Sequence, residues 1–300
     1  MAKKGKETVH TGSQIKESLG SRFFDGFNII FLAGVGILCL VPFLYVFAAS
    51  VSPLEDIITR RFFIIPHSLD FTAYKYLLGS KSLVRSIGTS AFITVVGTLL
   101  SMTVTVMMSY VLTKPIMGRK VINTMVVFTM LFSGGMIPSY LVVSGLKLTN
   151  TFWALWLPGC VSAYNMILIR TTIKALPHEL EEAATVDGCN YFQCFYKIIL
   201  PLIKPTLATF ALFYAVGYWN DYFQATLYIS DSTKWPIQVW LRQIVVLSSG
   251  LADITETGSN IPAQSIKFSV IIFATVPILC VYPFIQRFFT KGMMVGSVKG

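Results

Sequence analysis

Apolar residues in this chain are gathered in long blocks, which short polar stretches separate. With brief polar interruptions there are six blocks: 27–51, 86–113, 121–138, 152–169, 205–230 and 268–286. Asp221 is the single charged residue inside them. A bilayer core of about 30 Å is crossed by about 20 apolar residues in a helix, which satisfies its own backbone hydrogen bonds in lipid. The pattern therefore predicts an all-α integral membrane protein with six transmembrane helices.

The overall composition disfavours a soluble globular domain. Hydrophobic residues make up 54% of the 300 residues and charged residues 13%, and the mean hydropathy is +0.66. Soluble domains carry roughly a quarter charged residues. Because no low-complexity linker or repeat separates the blocks, we expect one transmembrane domain over 27–290. An N-terminal tail (1–26) would precede it and a C-terminal tail (291–300) would follow.

The net charge of +10 is explained by where the basic residues lie. One set of alternate segments holds 15 Lys and Arg in 82 residues: 1–26, 114–120, 170–204 and 287–300. The other set holds 9 in 84 residues: 52–85, 139–151 and 231–267. Because short cytoplasmic loops are enriched in Lys and Arg, the first set is predicted to be cytoplasmic, with both termini inside. The basic excess thus indicates topology, and we expect no nucleic-acid partner.

The sequence lacks the short motifs that ATP binding or hydrolytic catalysis would require. It contains no phosphate-binding loop, no zinc-protease motif and no serine-hydrolase elbow. The histidines are isolated, and the cysteines suggest neither a disulfide framework nor a metal pair. We therefore expect a non-enzymatic chain with no catalytic residue, metal site or cofactor of its own. Energy for any transport must come from a partner.

The polar stretch between the fourth and fifth blocks predicts two short helices at the membrane surface. Pro177 suits the first position of one helix, and three glutamates follow in its first turn, where they stabilise the helix dipole. Gly188 is the expected stop. Asn190 then caps a second helix, with Gln193 three residues later as in a capping box, and Pro201 ends it.

The first of these helices has a small apolar face with acidic residues at its edge. Leu180, Ala183 and Ala184 form that face. It is too small to anchor the helix in lipid, and it suits a groove in another protein. A solvated amphipathic connector is the alternative that the periodicity leaves open.

The residue order in this loop resembles the signature of permease subunits of bacterial ABC importers. The matching residues are Glu182-Ala183-Ala184, Asp187-Gly188, Ile198 and Leu200-Pro201. The resemblance implies a type I ABC importer permease fold in which 173–204 is the coupling loop and its first helix docks into a cleft of an ATPase. It assigns ATPase coupling to these residues: Glu182, Ala183, Ala184, Asp187 and Gly188.

Other motifs are similar to those of carbohydrate importers of the maltose-importer type. They are Trp219-Asn220-Asp221 and the C-terminal residues 289–300. Segments 134–140 and 150–155 resemble those of a branch of these importers that takes up oligosaccharides from complex polysaccharides. The resemblance implies an ATP-driven importer of oligosaccharides that works by alternating access. It also implies a location in the bacterial cytoplasmic membrane.

The same resemblance implies a set of partners. They are a homologous permease, two ABC ATPases, an extracellular or periplasmic sugar-binding protein, membrane lipid and the oligosaccharide. ATP and Mg²⁺ would be bound by the ATPases, and the tail 291–300 would reach between them, with a frayed terminus as the alternative. An ion-driven carrier and a non-transporting scaffold remain other possible functions. A carrier ordinarily has buried ionisable residues and paired repeats, for which Asp221 alone is thin support.

Polar and aromatic residues in the fourth and fifth blocks predict a sugar path. Counted from Pro205 at 1.5 Å per residue, Trp219 to Tyr222 lie roughly 21–26 Å along the helix, in the outer half of the bilayer. Polar groups there are unfavourable against lipid, whereas aromatic rings and amides suit sugar rings and hydroxyls. We expect a cavity lined by these residues: Tyr164, Asn165, Tyr218, Trp219, Asn220, Asp221 and Tyr222. Packing or gating between helices is the alternative.

The external loop 231–267 is too long for a minimal connection between neighbouring helices. It contains Trp235 and Trp240 together with acidic residues. We expect it to dock the external binding protein. An aromatic anchor at the membrane surface followed by a solvated loop is the alternative.

Overall fold

Helices form all the regular structure in the part of the chain that the computed structural model describes, residues 19–60, 62–250 and 263–292. The first helices are α1 (Leu19–Ser50), α2 (Leu54–Thr59), α3 (Thr72–Gly79), α4 (Lys81–Val111) and α5 (Arg119–Leu131). The middle helices are α6 (Met136–Gly145), α7 (Trp153–Trp156), α8 (Ala163–Lys174), α9 (Glu179–Val186) and α10 (Tyr191–Cys194). The last are α11 (Leu200–Leu202), α12 (Lys204–Asn220), α13 (Phe223–Tyr228), α14 (Ile237–Gly250) and α15 (Ala263–Gly292).

All six apolar blocks contain helix, but the blocks differ in continuity. Among the described residues, three stretches are long and apolar enough to cross a membrane alone: Phe23–Ser50, Lys81–Val111 and Gln264–Val281. A fourth crossing results if Tyr191–Leu202 and Lys204–Asn220, which meet at 83°, are counted as one bent span. Shorter helices occupy the third block (α5 and α6) and the fourth (α7 and α8). The all-α membrane fold is confirmed, with interruptions that the pattern did not predict.

Each interruption has a local cause. Gly135, with φ 84°, separates α5 from α6, and Pro158 lies in the irregular stretch between α7 and α8. Irregular backbone at membrane depth is tolerated where protein groups satisfy it. The N–H of Ser162 donates to the hydroxyl of Tyr214 (2.9 Å), so α12 supplies one such group.

The first and last helices extend beyond the predicted blocks. α1 begins at Leu19 rather than at residue 27, and α15 runs from Ala263 to Gly292 rather than over 268–286. Helical backbone therefore continues into the polar flanks, which a hydropathy pattern cannot delimit. The predicted tails fall mostly on 1–18 and 293–300, which lie outside the described residues.

Close packing of α4 against α12 forms the centre of the bundle. Ser101 Oγ shares a hydrogen bond of 2.8 Å with the hydroxyl of Tyr218, and Thr105 Oγ1 shares one of 2.8 Å with that of Tyr214. A Cβ at Gly97 would stand 2.8 Å from the Tyr218 ring. Small and hydroxyl-bearing residues at such positions let membrane helices approach closely and bond across the interface. α4 and α12 are therefore held together by side chains that have little freedom.

Candidate functional site

The first helix of the predicted coupling loop is α9, which ends in a glycine turn. His178 is its N-cap, and all three glutamates lie in the first turn. Pro177 precedes the cap instead of occupying the first helical position, so the predicted start was two residues early. Gly188 has φ 80°, a left-handed conformation that is costly for residues with a side chain. The predicted glycine stop is confirmed.

The second helix begins as its cap residues predict. The N–H of Gln193 donates to Asn190 Oδ1 (2.8 Å), and the N–H of Asn190 donates to Gln193 Oε1 (3.0 Å). The helix does not stop at Pro201. It passes through a π-helical turn (Phe195–Ile199) and ends at Leu202. Because proline has no N–H, it removes one helical hydrogen bond without ending the segment here.

The predicted apolar face of α9 is divided between two sides of the helix. Ala184 is buried beside Ile169 and Ile199, whereas Ala183 is exposed. Adjacent residues on a helix point about 100° apart, so one of the two alanines turns inward when the helix packs. The expectation that Ala183 and Ala184 share an outward face with Leu180 was wrong. Ala184 instead joins α9 to the membrane domain.

The outward side of α9 carries Glu182. Its Oε1 lies 3.2 Å from Nδ1 of His178, and the two side chains are 70% and 80% exposed. Exposed pairs of this kind contribute about 0–1 kcal/mol, so the carboxylate can exchange partners at little cost. Asp187 is exposed at the end of the same helix. Glu182 and Asp187 therefore lie where another protein can reach them.

An ion pair that the sequence analysis missed holds α9 against the rest of the domain. Lys114, which follows α4, pairs with Glu181 on α9, and the two side chains are 17% and 22% exposed. The Lys114 Nζ also lies 4.5 Å from the Tyr110 ring centroid and 5.8 Å from that of Tyr191. The Tyr110 hydroxyl donates to the Tyr191 carbonyl (3.3 Å). The end of α4 and the two helices of the loop therefore meet at one point.

Backbone contacts support this junction from the membrane side. Arg170 on α8 donates from Nε to the carbonyl of Leu112 (3.2 Å), and Arg119 donates to the carbonyl of Lys114 (3.3 Å). Both carbonyls follow the last turn of α4, and that of Lys114 also accepts from the N–H of Ile116 (2.9 Å). The basic residues counted as a cytoplasmic signal thus also bind helix ends.

At the C-terminal end of α12, the predicted sugar path includes two side chains that pack inside this chain. Tyr218 and Trp219 are buried, and Trp219 Nε1 donates to the carbonyl of Ala274 on α15 (3.3 Å). Tyr218 bonds Ser101 on the opposite side. For these two residues the structure corresponds to the packing alternative. Aromatic residues at a helix end do not distinguish the two roles by sequence.

The neighbouring polar residues of this path are more accessible. Asn220 and Tyr222 are exposed, and half-buried Asp221 accepts a hydrogen bond from the N–H of Gln224 (3.1 Å) at the start of α13. Arg242 of α14 lies over the Tyr222 ring, with its Cζ 5.7 Å from the centroid. Arg242 therefore covers an exposed tyrosine that is close to Asn220 in the sequence. The sequence analysis had not singled out this arginine.

The two predicted residues from the fourth block lie at the start of α8. Ser162 caps this helix by accepting from the N–H of Asn165. Tyr164 is exposed and Asn165 is buried, so the two point to different surroundings. Of the seven predicted lining residues, Asn165, Tyr218 and Trp219 are therefore buried, Asp221 is half-buried, and Tyr164, Asn220 and Tyr222 are exposed.

Two loop segments that were predicted to be external are joined near the end of α13. The N–H of Asp231 donates to Asn150 Oδ1 (3.1 Å), and Lys234 Nζ donates to the Asn150 carbonyl (2.9 Å). The N–H of Asn150 donates to the carbonyl of Tyr228 (2.7 Å). Hydrogen bonds from the side chain and then the N–H of Thr233 hold the pKa of Asp231 below its usual value. Residues 251–262 of the predicted docking loop lie outside the described part of the chain.

Comparison with known proteins gives one consistent result. Residues 86–295 match the family described as binding-protein-dependent transport system inner membrane component. The chain is 50% identical to protein LplC of Bacillus subtilis (97% of this chain, 99% of that protein). It is 47% identical to the polygalacturonan/rhamnogalacturonan transport system permease YtcP of the same organism, over 93% of this chain and 99% of YtcP.

Solved structures agree with the sequence relatives. A chain from the crystal structure of a bacterial ABC transporter that imports the acidic polysaccharide alginate has a TM-score of 0.84 and 31% identity. That match covers 91% of this chain and 99% of the other. The long and broken helices described above are thus those of a known permease fold.

Proposed function

This chain belongs to the family of binding-protein-dependent transport system inner membrane components, and from that premise we propose that it carries oligosaccharides into the cell. It is a membrane permease subunit of an ABC importer for sugars, and the ATPase of such an importer is a separate subunit. The similarity to a permease for polygalacturonan and rhamnogalacturonan is the observation that carries the oligosaccharide assignment. An arabinooligosaccharide permease, AraQ of Halalkalibacterium halodurans, adds support at 27% identity.

The proposed assembly contains more than this chain. A homologous permease completes the pathway, two ABC ATPases bind ATP and Mg²⁺, and an external binding protein delivers the sugar. The family description supports dependence on a binding protein. The external loop 231–267 docks that protein, and the tail 291–300 reaches the ATPases. The excess of basic residues in alternate segments supports a topology with both termini in the cytoplasm.

The proposed coupling site is the outward side of α9. Glu182 pairs with a basic group of the ATPase, which the exposure of its carboxylate supports. Ala183 and Asp187 complete the docking surface, whereas Ala184 and Gly188 maintain the shape of the loop. Movement of α9 passes to α4 through the pair of Lys114 and Glu181, and from α4 to α12 through hydroxyl bonds at Tyr214 and Tyr218.

The proposed sugar path uses the exposed residues near the outer end of α12. Tyr164 and Tyr222 offer aromatic faces, and Asn220 offers an amide for sugar hydroxyls. Asp221 shapes the end of the helix by accepting from the N–H of Gln224. The buried side chains keep the path in position by packing: Asn165, Tyr218 and Trp219.

Reconstitution tests this function. The chain would be placed in vesicles with its second permease, its binding protein and an oligogalacturonide, with and without the ATPases. We expect sugar uptake that requires both the ATPases and ATP. Uptake driven by an ion gradient without ATPases would indicate a carrier, and a complete assembly without uptake of any sugar would indicate a scaffold.

A further inference from the structure

Arg242 and Tyr222 bring a cation and an aromatic face together beside the exposed end of α12. The guanidinium carbon lies 5.7 Å from the Tyr222 ring centroid. Both residues are exposed in the chain, Tyr222 by 40%. They come from different elements, since Tyr222 lies between α12 and α13 and Arg242 lies on α14. The contact therefore depends on the tertiary fold.

The charge of Arg242 is not neutralised by an acid in the described part of the chain. None of the ion pairs between described residues involves Arg242. Asp221, the neighbour of Tyr222, instead accepts from the N–H of Gln224 (3.1 Å). A guanidinium that keeps its donors while its face covers a ring can bind a further anion, because arginine stacks on an aromatic ring and forms hydrogen bonds in its own plane.

The surroundings favour an aqueous cavity over lipid on this side of the helix. Asn220 is exposed in the chain, and Asp221 is half-buried, in a block that is otherwise free of charge. Polar groups at membrane depth ordinarily face the bundle interior or water. An anion bound by Arg242 would therefore come from a solute in the path, and a lipid phosphate is the competing source.

We propose that Arg242 and Tyr222 form a subsite for the carboxylate of a uronic acid unit in the transported oligosaccharide. The guanidinium fork binds the carboxylate, and the exposed part of the tyrosine ring contacts the apolar face of the sugar. This inference rests on the proposed function and narrows its substrate to acidic oligosaccharides. Two similar proteins act on acidic polymers, the permease for polygalacturonan and the importer of alginate.

The test compares two sugars of equal length in vesicles that contain the complete importer. One is trigalacturonate, and the other is its carboxyl-reduced, neutral form. For Arg242→Gln we expect the ratio of acidic to neutral uptake to fall about ten-fold or more, the effect of losing hydrogen bonds to a charged group. Arg242→Lys keeps the charge without the fork and should give an intermediate ratio. Lys147→Gln removes another exposed external cation and serves as the matched control.

The outcomes distinguish a failure of this inference from a failure of the proposed function. Equal losses for both sugars in Arg242→Gln, or an unchanged ratio, would overturn the subsite. A loss that occurs for both sugars only in vesicles with phosphatidylglycerol, and not in pure phosphatidylcholine, would assign Arg242 to lipid and also overturn it. Wild-type uptake of the neutral sugar alone would reject the subsite while the oligosaccharide function stands. Absence of ATP-driven uptake of either sugar would reject both.

Discussion

Lys114 and Glu181, 67 residues apart in the chain, form an ion pair that joins the end of α4 to α9. The pair is mostly shielded from solvent, and the rings of Tyr110 and Tyr191 flank the ammonium group. A partly buried charge that loses its partner is destabilising, so each half depends on the other. The pair therefore links the proposed docking helix directly to the end of α4.

We expect Lys114→Met and Glu181→Gln each to lower ATP-driven uptake several-fold while ATP hydrolysis by the assembly continues. The reason is that α9 would move without carrying α4 with it. Uptake and hydrolysis measured on the same vesicles check this, with the exposed Lys120→Met as control. The exchange Lys114→Glu with Glu181→Lys should restore part of the uptake. Coupling that stays normal in both single variants would contradict the role.

Glu182→Lys is expected to abolish transport and weaken association with the ATPases while membrane insertion is preserved. The carboxylate is exposed and makes only a surface contact with His178, so the domain does not need it to fold. Copurification of the ATPases with the variant measures the association. Substrate-stimulated ATP hydrolysis at the wild-type level would contradict the docking role of this residue.

Gly188 allows a test that separates backbone conformation from steric contact. A Cβ at this position would have no atom within 4 Å, so a substitution is limited only by φ 80°. Gly188→Val should uncouple transport, because a side chain in the left-handed region costs about 1–2 kcal/mol. Gly188→Asn should retain more activity, since asparagine tolerates this region. Equal activity of the Asn and Val variants would contradict the conformational explanation.

Gly97 and Gly88 form a matched pair on α4. A Cβ at Gly97 would lie 2.8 Å from the Tyr218 ring and 2.9 Å from that of Trp156, whereas one at Gly88 would meet open space. Gly97→Ala should therefore cost about 1–3 kcal/mol by overpacking and lower the melting temperature of the purified protein by several degrees. Gly88→Ala should leave it nearly unchanged. Equal melting temperatures would show that α4 and α12 are packed more loosely.

Trp219→Ala and Asn220→Ala should have different consequences although the residues are adjacent. Trp219 is buried and bonds the carbonyl of Ala274, and removing a large buried side chain costs about 3–5 kcal/mol. We expect a lower yield of folded protein for Trp219→Ala. Asn220 is exposed, so Asn220→Ala should fold and assemble normally but transport sugar more slowly. A comparison of thermal stability with uptake distinguishes them, and loss of stability in Asn220→Ala would argue for packing.

Local chemistry explains why parts of the proposed coupling loop were predictable. A glycine stop, an asparagine cap and a glutamine three residues later act within one turn of helix, and Gly188, Asn190 and Gln193 adopt the predicted geometry. The all-α fold was equally accessible, because long apolar blocks have few solutions in a bilayer.

Tertiary relationships explain what the sequence did not reveal. The partner of Lys114 depends on how α4 and α9 are placed, and no spacing rule relates the two. In the irregular backbone after Pro158, the Ser162 N–H donates a hydrogen bond to the Tyr214 hydroxyl on α12, a contact between distant parts of the chain that no local pattern reveals. Trp219 and Tyr222 are both aromatic and close in sequence, yet one is buried and the other is exposed.

Asn150 joins two loop segments, since three hydrogen bonds connect it to Tyr228, Asp231 and Lys234. The loop before α7 and the segment after α13 are consequently held together. A conformational change in this region must therefore either keep the two segments together or break these three hydrogen bonds.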